Sequence, residues 1–139
     1  MKKVKKHNVK PLSYIGNHRT PTIILDKEKK LFLIRGRSFP EDATSFYTPV
    51  VNWFKEYAQN PNDQTIFTLM FYYYNSATAK ALLDIFKILQ DIHNQGKEVI
   101  IKWLYHEEDD IIKEHGQDFS ELFTFKFEFI PFSDKSIKK

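Results

Sequence analysis

The sequence predicts an α/β (α+β) fold: one domain built on a mixed, mostly parallel sheet of about five strands, with helices mainly on one face. Three observations predict it. An almost continuously apolar run, Thr65 to Tyr74, turns straight into a helical pattern after Asn75. A second such run, Glu98 to Tyr105, follows that helix. Two short β-branched runs nearer the N-terminus are separated by a polar turn of hairpin length. Strand, crossover helix and strand in succession imply a right-handed parallel unit. Runs this apolar are expected at the centre of a sheet covered on both faces.

The elements follow in the order β-β-α-β-α-β-α-β. Thr22–Leu25 and Leu31–Ile34, joined by Asp26-Lys27-Glu28-Lys29-Lys30, read as an antiparallel hairpin. Pro40-Glu41-Asp42 is a helix-start signature. From Ala43 the residues Phe46, Tyr47, Val50, Val51, Phe54 and Tyr57 keep helical spacing. Pro49 interrupts this pattern, so the helix is either kinked near Ser45 or begins near Thr48. After Tyr74 a helix runs to His93. Lys80, Asp84, Lys87, Asp91 and Asn94 form its polar stripe, and Leu82, Leu83, Phe86 and Leu89 are assigned to the sheet side. Gly96 supplies its stop. A short helix follows His106-Glu107-Glu108-Asp109-Asp110 and is expected to end near Gly116. Phe123, Phe125, Phe127 and Phe129 alternate with polar residues, the mark of a half-exposed strand at or near a sheet edge.

Composition narrows the function. The 139 residues suit one domain with a sizeable core, and thirteen Phe, seven Tyr and two Trp make that core aromatic. There is no cysteine, which excludes disulfides, thiolate metal sites and cysteine nucleophiles. No apolar run approaches the ~20 residues needed to cross a bilayer, and the N-terminus lacks a signal-like apolar stretch. A cytoplasmic protein without membrane insertion is expected. The net charge of +3 is concentrated at the ends: five lysines in Met1–Lys10 and three in Lys135–Lys139. Residues 1–19 and 133–139 read as basic tails around a domain spanning 20–132. Basic ends alone do not make a nucleic-acid face, so no nucleic-acid partner is expected.

Chemistry concentrates at the strand-to-helix turn. Ser76 occupies an N-cap position, with Thr78 two residues on, where unpaired N–H groups and the helix dipole favour a phosphate. Ser76 heads the polar stripe one turn above Lys80, so its hydroxyl is expected to be reachable and Lys80 to be near enough to pair with a phosphate on it. Serving simply as a cap is the plainer role for the same hydroxyl. The His106–Asp110 cluster reads as helix-capping charge. Its functional alternative is acid-base chemistry or a divalent-metal site, which would make the protein a small enzyme. No cofactor is called for. A further alternative is a module that binds a nucleotide or small anion at the Ser76 helix start.

The residues also carry a resemblance. The order of elements and the hydroxyl-bearing turn look like the STAS domains of anti-sigma-factor antagonists. More specifically, the span from about Thr20 to Ile130 resembles the SiaC-type regulatory phosphoproteins. The matching pieces are Thr20-Pro21 with Ile23, Gly36 through Glu41, Val51 with Trp53 and Tyr57, and Tyr74-Asn75-Ser76 through Lys80. They continue with Asp84-Ile85, Gly96, Val99 with Trp103 to Tyr105, and Asp110 with Glu114 and Gly116. The resemblance implies a non-enzymatic partner switch. A cognate kinase phosphorylates a Thr in an Asn-Thr-Ser-Ser segment, a metal-dependent phosphatase removes the phosphate, and the unmodified form activates a diguanylate cyclase. That acceptor falls on Ser76, the next Ser on Ala77 and the last on Thr78, which leaves Thr78 a rival acceptor. Asn75, Ala77, Lys80, Asp84, Arg37 and Ser38 are the expected phosphate or partner surroundings.

Overall fold

The computed structural model describes residues 8–134. Nine elements follow in order: β1 (Leu12–Tyr14), β2 (Thr22–Asp26), β3 (Leu31–Ser38), α1 (Ala43–Tyr57), β4 (Gln64–Tyr74), α2 (Ser76–Asn94), β5 (Glu98–His106), α3 (Asp110–Ser120) and β6 (Lys126–Phe132). The strands form one six-stranded sheet whose spatial order is the chain order. β1, β2 and β3 pair antiparallel, and β3 through β6 pair parallel.

This is the mixed, mostly parallel sheet the sequence predicts, with one strand more. β1 lies in the stretch read as a basic tail, so the sheet starts before Thr20. Its three residues are too few to show a period. What holds it is tertiary: Leu12 pairs with Leu25, Tyr14 sets its ring edge-on to Phe46, and the indole N–H of Trp53 donates to the Lys10 carbonyl at 2.7 Å just upstream. The extreme ends of both lysine-rich tails lie outside the described residues.

All three helices cover the same sheet face. Phe67 packs on Phe54 of α1, Trp103 on Phe119 of α3, and Phe86 of α2 meets Phe119, Phe123, Phe125 and Phe127 edge-on. On β4 the inward residues Thr65, Phe67, Leu69 and Phe71 are buried, whereas Ile66, Thr68 and Tyr72 on the other side are not. Helices on one face is the arrangement the sequence predicts; only the reading of the apolar β4 run as covered on both faces is corrected. Each β-α-β crossover is right-handed and steps one strand over in the same direction, which returns every helix to one side. The apolar β4 run is covered by helices on one face; on the other, Ile66 and Thr68 are half-buried, Met70 is buried and Tyr72 is exposed.

One open reading is decided and two change. α1 begins at Ala43, capped by Asp42, and passes through Pro49. The carbonyl that Pro49 leaves without an N–H partner is on an exposed stretch of the helix, where water reaches it. α3 continues past Gly116 to Ser120. Gly116 is buried under the Trp103 indole, and a Cβ there would lie 2.5 Å from the indole nitrogen. The glycine serves close approach and not termination. In α2 the buried residues are Thr78, Ala81, Leu82, Ile85, Phe86, Leu89 and Ile92. Leu83 is only half-buried. Its position belongs to the shoulder of the helix, one residue outside the buried stripe.

Candidate functional site

The turn between β4 and α2 is held by an asparagine and not by the serine beside it. Asn75 is the N-cap: its Oδ1 accepts the Thr78 N–H at 2.9 Å, and its carbonyl accepts from Ala79. Its own N–H donates to the Ser38 carbonyl at 3.1 Å, tying the turn to the end of β3. Asn is as good a cap as Ser, and extended backbone at φ −96° and ψ 175° suits it. Ser76 is displaced to the first helical position, where it is exposed. Its hydroxyl is released from capping duty. Among the described residues the N–H groups of Ser76 and Ala77 have no acceptor, as the first turn of a helix leaves them.

Thr78 lies on the opposite side of the same turn and is fully buried. Its hydroxyl donates to the Ser38 carbonyl at 3.0 Å and meets Ser38 Oγ at 2.8 Å. Ser38 Oγ in turn meets the Tyr47 hydroxyl at 2.5 Å. Burial pushes the Tyr47 phenol up to about 12, with the bonds from Ser38 and Thr78 pulling weakly the other way. These hydroxyls join the end of β3, α1 and the first turn of α2. Ser38 is thus a structural neighbour of the turn, and Thr78 is a clamp.

Two grooves flank α2. Ser76 and Asn75 line a groove of about 380 Å³ against α3, floored by Ala79, Phe119 and Leu122 and bordered by His115 and Asp118. Tyr74 at its back donates or accepts at His115 Nδ1, 2.8 Å away. Burial holds that phenol well above the usual range, and the negative charges of Asp118 and Asp109 raise it further. Ala77, Lys80 and Asp84 line a separate groove of about 250 Å³ against α1, together with Lys55. The expected grouping of Ser76 with Lys80 is therefore split: one helical turn apart, they border different clefts. The residues that do share a groove with Ser76, His115 and Asp118, were missed in the sequence. They lie on α3, about forty residues away, and only the packing of α3 beside α2 brings them near. Arg37 is exposed at the bulged end of β3, opposite Tyr73.

The His106–Asp110 cluster is taken up by local structure. Asp109 caps α3 through the Ile112 N–H, His106 Nδ1 accepts the Glu108 N–H, and His106 Nε2 lies 3.2 Å from Asp134. Glu107 and Glu108 are exposed. No group of three or more His, Asp or Glu among the described residues is placed to hold a metal ion. No helix among them is long and apolar enough to cross a membrane.

An exposed serine thus opens the central helix at the lip of an apolar groove. The model of the SiaC family of regulatory phosphoproteins matches residues 15–132, and the chain belongs to that family. It is a regulator and not an enzyme. An uncharacterised protein of Pseudomonas aeruginosa strain UCBPP-PA14 is 26% identical over 112 residues, 81% of this chain and 89% of that protein. The crystal structure of apo-SiaC from Pseudomonas aeruginosa superposes with a TM-score of 0.77 at 24% identity, covering 86% of this chain and 98% of that one. SiaC in the crystal structure of the diguanylate cyclase SiaD with its activator SiaC, from the same organism, gives 0.81 at 24% identity, covering 87% and 99%.

Proposed function

We propose that this protein is a cytoplasmic phosphorylation-controlled docking switch whose acceptor is Ser76. The observation that carries the reading is the division of labour at the turn: Asn75 caps, Thr78 is buried in a clamp, and Ser76 alone presents a free hydroxyl. A cognate Ser/Thr kinase can reach Ser76 without opening the helix. Thr78, the rival acceptor, would have to leave the core first. A phosphate on Ser76 would meet the unengaged N–H groups of Ser76 and Ala77 and the positive end of the helix dipole, so the fold should tolerate it.

The same phosphate sits at the mouth of the α2–α3 groove. It adds about −1.5 to −2 charges beside the Asp118 carboxylate. A partner that inserts an apolar side chain over Ala79, Phe119 and Leu122 would have to desolvate that charge. Leaving a buried charge unpaired costs about 3–5 kcal/mol, and each 1.4 kcal/mol is about tenfold in affinity. SiaC is the activator of a diguanylate cyclase. Here too the unmodified form is taken to bind and activate such a cyclase, with a metal-dependent phosphatase restoring it.

The test uses a reconstituted cyclase and kinase. Ser76→Ala should stay folded, unfold within about 0.5 kcal/mol of wild type because it is not the cap, resist the kinase and activate the cyclase constitutively. Ser76→Asp should be folded and activate at least tenfold less. Phosphate found on Thr78 in wild type, or equal activation by the unmodified and fully phosphorylated forms, would defeat the proposal.

A further inference from the structure

The sheet face that carries no helix holds a cleft of about 700 Å³, separate from the grooves beside α2. Its base is a cross-sheet row in which Arg35 of β3 pairs with Met70 of β4, and Met70 with Leu104 of β5. Tyr72 and Phe132 stand at one end with rings 6.1 Å apart and nearly perpendicular. Tyr72 is 45% exposed although it is a large aromatic in the middle of a sheet. The opposite rim is the loop before β2, with Asn17, Thr20 and Thr22.

That rim is a built structure. Asn17 Oδ1 accepts the N–H groups of Arg19 and Thr20 at 2.8 and 3.0 Å, Asn17 N–H donates to the Thr20 carbonyl, and Gly16 N–H donates to Thr22 Oγ1 at 3.0 Å. A Cβ on Gly16 would fall 2.3 Å from the Thr20 carbonyl oxygen, so only glycine closes the loop this tightly.

The side chains of Asn17 and Arg35 are left with donors to offer. The Asn17 oxygen is consumed by the loop, which leaves its amide NH₂. Thr22 Oγ1 accepts from Gly16, which leaves its O–H. Arg35 is exposed and makes no ion pair among the described residues, and no carboxylate lines the cleft. A concave site with one unpaired guanidinium, surplus donors and no acid selects an anion. Its aromatic and aliphatic walls select a flat apolar body. The row from Arg35 to Leu104 spans two strand spacings, about 10 Å, the reach of a ring that carries a charged group.

We infer that this cleft is a binding site for a small organic anion: a planar ring bearing a phosphate or carboxylate, with the anion on Arg35 and the ring against Tyr72 and Phe132. The site is independent of Ser76 and stands whether or not Ser76 is the acceptor.

Phenyl phosphate is the probe, titrated into the ¹⁵N-labelled full chain and followed by amide NMR shifts. Saturable shifts are expected at Gly16, Asn17, Gly36 and Tyr72. Phenyl carboxylate (benzoate) should compete, distinguishing whether phosphate or carboxylate is the preferred head, and inorganic phosphate and phenol should each bind at least tenfold more weakly. Arg35→Gln and Tyr72→Ala should each weaken phenyl phosphate at least tenfold while leaving the rest of the spectrum folded. Absence of saturable shifts at these amides, shifts confined to the Ser76 turn, or wild-type binding by Arg35→Gln would overturn the site. Inorganic phosphate binding as tightly as phenyl phosphate would overturn the planar ligand.

Discussion

At the scale of single residues, the strand-to-helix turn shows how three hydroxyls and one amide divide tasks that the sequence alone leaves merged. Asn75, Ser76 and Thr78 all have the chemistry of a cap, and propensity barely separates them. The decision comes from Ser38, at the end of β3, which takes the Asn75 N–H and the Thr78 hydroxyl and so fixes which residue ends the strand. No local pattern carries that information, because the partners are about forty residues apart. The clamp makes a pH prediction. The Tyr47 phenol is raised to about 12 by burial, against an ordinary value near 10. Its contribution to stability is therefore fully present below about pH 10 and is lost as pH rises toward 12, because the unfolded chain ionises first. One pH unit into that window the loss is about 1.4 kcal/mol. Tyr47→Phe should be less stable than wild type at pH 8, where it lacks the bond to Ser38. At pH 11 the gap should narrow by about 1.4 kcal/mol in urea unfolding. Tyr57 and Tyr74 titrate in both proteins and cancel. An unchanged gap would show that Tyr47 ionises as freely folded as unfolded.

At the scale of elements, periodicity located the helices and mis-set some of their ends. The α2 stripe was legible because thirteen of its residues alternate between lysine or acid and aliphatics at helical spacing. The α3 end was not legible, because a glycine normally stops a helix and here serves a contact. Gly116 lets the α3 backbone pass close to the Trp103 indole, whose N–H donates to the Ile112 carbonyl at 2.9 Å within the same helix. The indole is fixed by that bond and by Phe71, Tyr74 and Phe119 around it. Gly116→Ala would gain about 1 kcal/mol of helix propensity in an exposed helix. Here the new methyl would instead meet indole atoms at 2.5–2.7 Å. Overpacking of that kind costs about 1–3 kcal/mol, so the variant should be destabilised on balance, with a changed tryptophan emission. A Gly116→Ala protein as stable as wild type would mean that α3 can lift away from β5. The α2–α3 groove that borders Ser76 should then be altered as well, which partner affinity would register.

At the scale of the whole molecule, topology explains both the site and the bare face. Strand order equals chain order, so every crossover steps the same way and all helices stack on one side. The doubly wound folds gain a ligand crevice where that direction reverses; this sheet has no reversal, and the clefts described above lie between helices or on the uncovered face. The direction of stepping was not written in the hydrophobic runs, since β4 and β5 read as apolar on both sides. The β1 edge was not either, but the β6 edge was: the Phe123–Phe129 alternation marks it, although the strand itself starts at Lys126, and the Lys126–Glu128 pair with Pro131 blunts it against pairing with another chain. Amide exchange tests this arrangement directly. β4 is bonded to β3 over Thr68–Tyr74 and to β5 over Gln64–Met70, so both sets of its alternating amides are held in its middle. β6 is bonded to β5 alone, and the half of its amides that point to the free edge have only water. β1 is three residues long and hangs on β2 alone. Amides in the middle of β4 and β5 should therefore exchange only by global opening, those of β1 by local fraying, and those of β6 in two alternating classes. Protection of every β6 amide at the level of β4 would contradict its edge position.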